Sequence, residues 1–141
     1  MIKYEQVQTF EDILSAFTAL KNEFFSFEGD LAEFCKKIYN HGICFVGQNN
    51  EICAAIAFYA NDTASLTAFI TSVLVSRNER GKGVATHLIK MAEDYCEQKQ
   101  LKRIRLEVKY KNVAAISLYK KLGYRQVEER KDSSIMEKSL I

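Results

Sequence analysis

The segment at residues 73–86 constrains the fold of this chain more than any other. It opens with three apolar residues, crosses a loop that holds three basic residues together with Gly81 and Gly83, and continues at helical spacing. A strand, a short loop and a helix in this order are typical of an α/β unit. The first turn of such a helix leaves backbone N–H groups unpaired and partly positive, and glycine lets a ligand approach the backbone closely. The segment therefore predicts an anion site suited to a pyrophosphate.

The rest of the chain alternates between the periods of helices and strands. Predicted helices follow Thr9 as far as Phe24 and lie at 31–40, 83–100 and 113–122, with Thr9 and Asp30 as the first two N-caps. Predicted strands lie at 2–7, 43–47, 52–60, 64–75, 103–109, 124–130 and 135–140. The run at 64–75 is long for a strand, which predicts a bulge or a bend. We expect one α/β (α+β) domain over residues 1–141, with a mixed sheet of about seven strands, about four helices, and antiparallel hairpins at both ends.

Composition and charge exclude several classes of protein. The chain has 141 residues, of which 48% are hydrophobic and 27% charged, as is usual for one globular domain. A net charge of +2 is too balanced to indicate a nucleic-acid partner. No apolar run approaches the roughly 20 residues of a membrane span, and residues 1–9 lack the features of a signal peptide.

The cysteines and histidines do not predict a metal site. The four cysteines form no C-x-x-C pair, so we expect reduced, buried thiols and a cytoplasmic location. His41 and His87 have no partner at metal-ligand spacing, and we expect both to be structural or surface residues.

Two common phosphate-binding motifs do not match the glycine loop. The P-loop pattern of nucleotide-binding proteins is absent because Gly83 follows Lys82, where Ser or Thr is required. The dinucleotide pattern is incomplete because Thr86 stands at the position of its third glycine. The loop instead contains the pattern Arg-x-x-Gly-x-Ala, at Arg80, Gly83 and Ala85.

This pattern resembles the pyrophosphate loop of the GNAT superfamily of acyl-CoA-dependent N-acetyltransferases. A second stretch, residues 112–124, is similar to the family's signature of Asn, Ala, Tyr and Leu-Gly-aromatic, in the expected order and at the expected distance. The resemblance covers residues 73–124, whereas residues 1–60, where acceptor specificity usually lies in the family, carry only a general likeness. It implies acetyl-CoA as a co-substrate, no metal, and a sheet that splays between the strand ending at Val75 and the strand at 103–109.

The resemblance also implies which residues bind the cofactor. In the family, the backbone of the strand before the loop pairs with the pantetheine arm as an added β-strand would. The N–H groups of the loop hold the pyrophosphate, basic side chains add charge, and the Asn of the second motif contacts the cofactor. In this sequence the implied residues are Val73, Leu74, Val75, Arg80, Gly81, Lys82, Gly83, Val84, Ala85, Thr86 and Asn112.

Glu107 is the candidate catalytic base. It stands in a Leu-Glu-Val sequence that resembles one in the bacterial ribosomal-protein N-terminal alanine acetyltransferases, where the Glu is held to be the base and a later Tyr the acid. Strand alternation places Glu107 on one face together with Arg105 and Lys109. The alternative interpretation is a surface carboxylate that pairs with one of these two basic residues.

Tyr119 is the candidate catalytic acid. It lies on the apolar face of its predicted helix, so a purely structural tyrosine is the alternative. A phenol with a pKa near 10 is a weak proton donor to a thiolate near 8.5, so we expect a hydrogen bond to the departing sulfur more than full proton transfer. The backbone N–H of Val75 is a candidate donor to the acetyl carbonyl.

Two further features are weaker candidates for the acceptor site. Asp62 follows a predicted strand, where it either contacts an acceptor amine or simply ends the strand in a turn. Phe24, Phe25 and Phe27 either line an acceptor pocket or, for Phe24 by its helical spacing, belong to the core.

The sequence therefore predicts an acetyl-CoA-dependent N-acetyltransferase. Neither motif contains a cysteine, so we expect direct transfer in a ternary complex. The first predicted acceptor is a small-molecule primary amine, such as an amino sugar or a polyamine, and the alternative is a protein N-terminal α-amine. A non-catalytic acyl-CoA-binding regulatory module is the alternative from another class. We expect no nucleic-acid or membrane partner, and exposed strand edges allow a homodimer.

Overall fold

A seven-stranded mixed sheet runs through the protein in the computed structural model, which describes residues 1–141. Its strands are β1 (Lys3–Val7), β2 (Ile43–Asn49), β3 (Glu51–Tyr59), β4 (Thr67–Val75), β5 (Arg103–Lys109), β6 (Arg125–Glu129) and β7 (Ser133–Ser139). They lie in the order β1-β2-β3-β4-β5-β7-β6. β4 and β5 are parallel, and every other neighbouring pair is antiparallel. The predicted fold class is confirmed, including the hairpins at both ends.

Four α-helices cover the two faces of this sheet. They are α1 (Phe10–Ala19), α2 (Leu31–His41), α3 (Val84–Gln98) and α4 (Val113–Lys121). Phe17 of α1 and Ile38 of α2 are buried in an apolar cluster on one face. Leu88 and Ile89 of α3 are buried in a larger cluster on the other face, where α4 also packs. None of these helices has the length and apolar character of a membrane span.

Side-chain caps begin α1 and α2 as predicted. The Thr9 hydroxyl accepts a hydrogen bond from the Asp12 N–H at 3.1 Å. The Asp30 carboxylate accepts one from the Ala32 N–H at 2.8 Å. Each cap satisfies a backbone donor that has no partner inside the helix, which explains why the helices start at these positions.

The first helix is shorter than its apolar spacing predicts. It ends at Ala19, and a single 3₁₀ turn follows at Lys21–Glu23 before Phe24 adopts extended backbone. The ring of Phe24 packs against Phe17 and Phe34, at centroid distances of 6.1 and 5.8 Å. A turn thus delivers Phe24 to the same core that a longer helix would have reached.

β4 starts later than predicted and carries the expected bulge. The Asp62 carboxylate accepts hydrogen bonds from the N–H and the hydroxyl of Ser65, and these bonds hold a turn that delays the strand until Thr67. Pairing with β3 then moves from Phe58↔Ile70 to Ala57↔Ser72, which leaves Thr71 as the extra residue of a bulge.

The parallel pair β4 and β5 separates halfway along its length. Pairing runs from Thr67↔Arg103 to Ile70↔Leu106 and then stops. The last residues of β4 therefore have no neighbour on the β5 side, whereas β5 continues to pair with β7 as far as Lys109. This gap is the predicted splay, and the candidate site lies around it.

Candidate active site

The splay opens into a cleft of about 740 Å³ between β4, the glycine loop, the start of α3 and one side of α4. Residues 22–25 also border this cleft. Most of the residues predicted to bind the cofactor line it, namely Val73, Val75, Arg80, Gly81, Gly83, Val84, Ala85, Thr86 and Asn112. Leu74 and Lys82 do not line it.

The end of β4 presents free backbone groups to this cleft. Hydrogen-bonded and non-bonded residue pairs alternate along an antiparallel ladder, and the Ser76 N–H donates to the Cys53 carbonyl at 2.7 Å. This bond sets the alternation, so Leu74 bonds to β3 while Val73 and Val75 turn their N–H and C=O groups toward the gap. The Val75 carbonyl accepts a bond from Arg80 Nε at 3.2 Å. Both groups of Val73 and the N–H of Val75 remain for a ligand.

The first turn of α3 offers a second set of free donors. Gly83 is the N-cap, with φ of 81°, and it supplies no side-chain cap. The first helical bond runs from the His87 N–H to the Gly83 carbonyl at 3.0 Å. The N–H groups of Val84, Ala85 and Thr86 therefore have no partner, and the turn contains no acidic residue. Such a helix end attracts an anion.

The two basic side chains of the loop are placed differently. Arg80 reaches across to the 3₁₀ turn that follows α1, where its guanidinium pairs with the carboxylate of Glu23. Lys82 is largely exposed and lies 3.4 Å from Glu79. Arg80 thus links the glycine loop to the segment that borders the cleft on its other side.

A second cavity of about 310 Å³ adjoins the cleft through the splay. Both are lined by Phe24, Phe25, Val73, Asn112 and Tyr119, so the two spaces meet at these residues. The second cavity also contains the two catalytic candidates, since Glu107 and Tyr119 both line it. A ligand group held along β4 in the cleft is therefore next to the second cavity.

Glu107 is held by residues that the sequence did not indicate. One carboxylate oxygen accepts a hydrogen bond from the Ser133 hydroxyl, and the other lies 3.5 Å from the Arg130 guanidinium. The predicted alternative partners are not used, because Arg105 pairs with Glu137 at 2.7 Å and Lys109 forms no ion pair. Glu107 thus lines the cavity as an anchored carboxylate.

Tyr119 lies on α4 where the two cavities meet. Its hydroxyl makes no hydrogen bond to another protein group, although the ring packs edge-on against Tyr124 at 5.9 Å. Burial raises the pKa of Tyr119 to about 12, so the phenol stays protonated in any ordinary assay. A free, protonated hydroxyl facing a cavity can donate a hydrogen bond to a ligand.

Asn112 has a structural role of its own. It is the N-cap of α4, and its side-chain oxygen accepts a hydrogen bond from the Ala115 N–H at 3.3 Å. The same residue lines both cavities, so its amide nitrogen is the group left to meet a ligand.

Comparison with known proteins decides the family. The model of the Acetyltransferase (GNAT) family matches residues 8–124. The chain belongs to this family. Both motifs that carry the resemblance in the sequence lie inside the matched region or at its end.

Individual relatives of this GNAT protein differ in their acceptors. Streptothricin acetyltransferase of Escherichia coli is 44% identical over 64 residues, which is 45% of this chain and 37% of that protein. The chain thus spans well under half of that relative. The ribosomal-protein-S18-alanine N-acetyltransferase of Escherichia coli has the same fold, with a TM-score of 0.83 and 20% identity over 99% of this chain and 94% of that one.

A third comparison has coenzyme A in the solved structure. It is the PaiA N-acetyltransferase of Thermoplasma acidophilum in complex with coenzyme A, with a TM-score of 0.74 and 16% identity over 99% of each chain. These structural likenesses show that the fold is shared along the whole chain.

The weaker candidates for the acceptor site fall into residues of this GNAT protein that line a cavity and residues that do not. Asp62 holds the turn before β4 and lines neither the cleft nor the second cavity, which favours the structural interpretation. Phe24 and Phe25 line both cavities, and Phe24 is at the same time part of an aromatic cluster with Phe17 and Phe34. His87 stacks on Tyr4 at 3.9 Å. Asp62 is thus placed by a local turn, whereas His87 is placed by packing against a distant strand.

Several residues around the site have no signal in the sequence. Glu23 meets Arg80, and Ser133 and Arg130 reach Glu107 from the hairpin of β6 and β7. Behind Tyr119, the buried carboxylate of Glu93 accepts hydrogen bonds from Tyr124 at 2.8 Å and from Lys138 at 3.0 Å. All of these contacts join residues far apart in the chain, so no local pattern could have revealed them.

Proposed function

We propose that this protein is an acetyl-CoA-dependent N-acetyltransferase that acts on the primary amine of a small molecule. The observation that carries the proposal is the junction of the two cavities. Free backbone groups of β4 and the uncapped start of α3 face one cavity, and Glu107 and Tyr119 face the other. Family membership supports acetyl transfer, and the similarity to streptothricin acetyltransferase supports a small-molecule acceptor.

The residues around the cleft fit acetyl-CoA. A Cβ placed on Gly81 or Gly83 meets no protein atom within 4 Å, so open space lies above the loop where a pyrophosphate would sit. The N–H groups at the start of α3 would bind it, with Lys82 and Arg80 adding positive charge. The free N–H and C=O of Val73 would hydrogen-bond the pantetheine amides, because the C=O of Val75 is already bonded to Arg80. When bound, acetyl-CoA supplies an acetyl group activated as a thioester.

Glu107 is proposed to take the proton of the acceptor amine. A lysine-like amine with a pKa near 10.4 costs about 4–5 kcal/mol to deprotonate at pH 7, and a positioned base typically contributes about 10²–10⁴ in rate. The anchors Ser133 and Arg130 would keep the carboxylate in one place. The negative charge would also hold an ammonium ion until the proton leaves.

Tyr119 is proposed to donate a hydrogen bond to the sulfur that departs from the acetyl group. The pKa of about 12 keeps its hydroxyl protonated, and the absence of a protein partner leaves that hydroxyl free to donate. The N–H of Val75 would donate to the acetyl oxygen, where negative charge develops during attack.

The cysteines favour direct transfer over a covalent acetyl-enzyme. All four thiols are buried, and none lines the cleft or the second cavity. Burial raises the pKa of Cys44 and of Cys96 to about 12, and of Cys35 to about 11. Thiols of this kind are poor nucleophiles because the thiolate is the reactive form.

A protein N-terminal α-amine is the second candidate acceptor. The fold shared with the ribosomal-protein-S18-alanine N-acetyltransferase and the Leu-Glu-Val sequence around Glu107 favour it. An α-amine has a pKa near 8 and is therefore easier to deprotonate than a lysine-like amine.

The test combines a thermal melt with a CoA-release assay. Acetyl-CoA at about 100 times its dissociation constant should stabilise the fold by about 2.7 kcal/mol, and amines should then release CoA. We expect Glu107→Gln to lower kcat by about 10²-fold or more. Glu128→Gln is the matched control, because Glu128 pairs with the same Arg130 and lines neither cavity.

Each outcome separates the proposals. Acetylation of small amines but not of peptide N-termini supports the first acceptor class, and the reverse result supports the second. Stabilisation by acetyl-CoA without acetylation of any amine would identify a non-catalytic acyl-CoA-binding module. No stabilisation at millimolar acetyl-CoA would overturn the proposal as a whole.

A further inference from the structure

A third cavity extends the acceptor side of the site toward solvent. It has a volume of about 430 Å³ and is lined by Phe25, Ser26, Lys109, Tyr110, Lys111, Lys131 and Asp132. Phe25, Ser26 and Lys109 also line the cavity that contains Glu107 and Tyr119. The two spaces therefore adjoin at these residues, and we term the third cavity the vestibule.

The vestibule is built where two parts of the chain meet. Lys109 is the last residue of β5, Tyr110 and Lys111 follow it, and residues 131 and 132 lie in the turn of the β6–β7 hairpin. The Tyr110 N–H donates to the Asp132 carbonyl at 3.0 Å, which ties the two segments together. The relative position of the lysines is thus set by backbone contacts rather than by two independent loops.

The charge in the vestibule is predominantly positive, with three lysines against one aspartate. Lys109, Lys111 and Lys131 form no ion pair, and Asp132 is the one acidic residue that lines the cavity. The nearby carboxylates of Glu107 and Glu128 are engaged by Arg130. Three ammonium groups around one opening repel each other, and a bound anion relieves that repulsion.

We propose that the vestibule selects small-molecule amine acceptors that also carry a carboxylate or a phosphate. The acid group would lie among Lys109, Lys111 and Lys131, while the amine reaches Glu107. This inference rests on the proposed function, whose acceptor class it narrows. The volume lies in the range of roughly 300–1,000 Å³ that is usual for small-molecule sites. A polyamine is disfavoured, since its second ammonium group would meet three lysines.

The test compares amine acceptors that share a carbon chain and differ in the charge of the group at its other end. Hexylamine, diaminohexane and aminohexanoate share one chain length, and ethanolamine with phosphoethanolamine repeats the comparison for phosphate. We expect the highest kcat/KM for the acidic member of each set. The double variant Lys111→Gln/Lys131→Gln should lower the ratio of kcat/KM for the acidic amine to kcat/KM for the neutral amine by about fivefold.

The matched control is Lys36→Gln/Lys90→Gln. It removes the same charge from exposed lysines that form no ion pair and line none of the three cavities. The preference should be unchanged in this variant, because a lysine outside the vestibule acts only through the screened net charge of the protein.

The outcomes distinguish this inference from the proposed function. Equal kcat/KM for acidic and neutral amines, or a preference that survives in the vestibule variant, overturns the inference while acetyl transfer stands. Acidic peptides preferred over every small amine also overturn it. If no amine is acetylated, calorimetry measures the binding of aminohexanoate to the complex of the protein with CoA. Binding that is lost in the Lys111→Gln/Lys131→Gln variant supports the inference. No binding to the unchanged protein overturns it.

Discussion

Tyr119 and Glu107 show how single residues acquire their properties from distant neighbours. The tyrosine is on a helix and the glutamate on a strand, and the splay of the sheet lets both line one cavity. Burial beside Tyr124 protects the phenol from ionising, whereas Ser133 and Arg130 stabilise the carboxylate. Burial thus keeps the phenol of Tyr119 protonated, whereas contacts with Ser133 and Arg130 set the position of the Glu107 side chain.

The pKa of Tyr119 predicts a stability effect at alkaline pH. The phenol titrates near 10 in the unfolded chain and at about 12 in the folded protein, so the unfolded state loses its proton first. The free energy of unfolding should therefore fall as pH rises from 10 to 12. In Tyr119→Phe this part of the fall should be missing. Urea unfolding at several pH values measures this difference. If the free energy of unfolding fell equally with pH in the unchanged protein and in Tyr119→Phe, the burial assigned to Tyr119 would be contradicted.

Glu23 predicts an effect on the affinity for acetyl-CoA. Its carboxylate pairs with Arg80 beside the anion site, where it competes with a phosphate for the guanidinium and repels it. Glu23→Gln should lower the Kd for acetyl-CoA by about two- to fivefold, the effect of one partly exposed charge pair. Calorimetry measures this. Glu28→Gln is the control, because Glu28 is exposed and outside the cavities, and weaker binding by Glu23→Gln would show instead that the pair holds the site in shape.

At the scale of elements, the glycine loop joins a strand with free backbone groups to a helix with free N–H groups. The backbone groups of β4 are free because β4 has no neighbour on the β5 side beyond Ile70. The N–H groups of α3 are free because no side chain caps this helix. Other helices of the protein do not share this, because Thr9, Asp30 and Asn112 cap α1, α2 and α4. The start of α3 is thus the one α-helix N-terminus left for a ligand.

Gly83 predicts separate effects on stability and on binding. Its φ of 81° is unfavourable for alanine, so Gly83→Ala should lower the free energy of unfolding by about 1–2 kcal/mol. The new methyl group would also enter the space above the loop and weaken acetyl-CoA binding. Gly29→Ala is matched, because Gly29 has φ of 106°, open space around it and no place in the cleft. Gly29→Ala should lower the free energy of unfolding without changing the affinity for acetyl-CoA. Equal losses of acetyl-CoA affinity in the two variants would refute the role of the glycine loop in binding.

At the scale of the whole molecule, different pairs of helices pack on the two faces of the sheet. Helices α1 and α2 pack on the face where Glu107 and Lys109 project, and α3 and α4 pack on the opposite face with Ile104 and Leu106. The splay interrupts the sheet only after Ile70, so a continuous core supports both cavities. The site is an opening in a rigid sheet and not a loop at its edge.

Hydrogen exchange should detect this opening directly. The amides of Val73 and Val75 point into the gap without a partner, whereas the amide of Leu74 bonds to β3. Exchange at the two valines should be much faster than at Leu74 in the free protein. Acetyl-CoA should slow exchange at both and leave Leu74 unchanged. Uniform protection of all three amides without ligand would mean that β4 and β5 close in solution.

Much of the fold follows from local sequence. Period and capping placed β5 at its observed residues and started α1 and α2 correctly, because Thr9 and Asp30 act within one turn of the helix. The end of α1 was predicted wrongly, since the contact of Phe24 with Phe17 and Phe34 is satisfied by a turn as well as by a helix. Periodicity records which side chains face the core and is less informative about the backbone that delivers them.

The division between sequence and structure is also visible in the site. The sequence alone determined the glycine loop, the strand before it and the helix after it, because neighbouring residues of the chain form each of these. Only the tertiary structure decided that Glu107 is anchored by Ser133 and Arg130, that Arg80 meets Glu23, and that three lysines line one cavity. Such contacts join segments whose distance in space depends on how the whole sheet is ordered, and no local pattern of residues encodes that order.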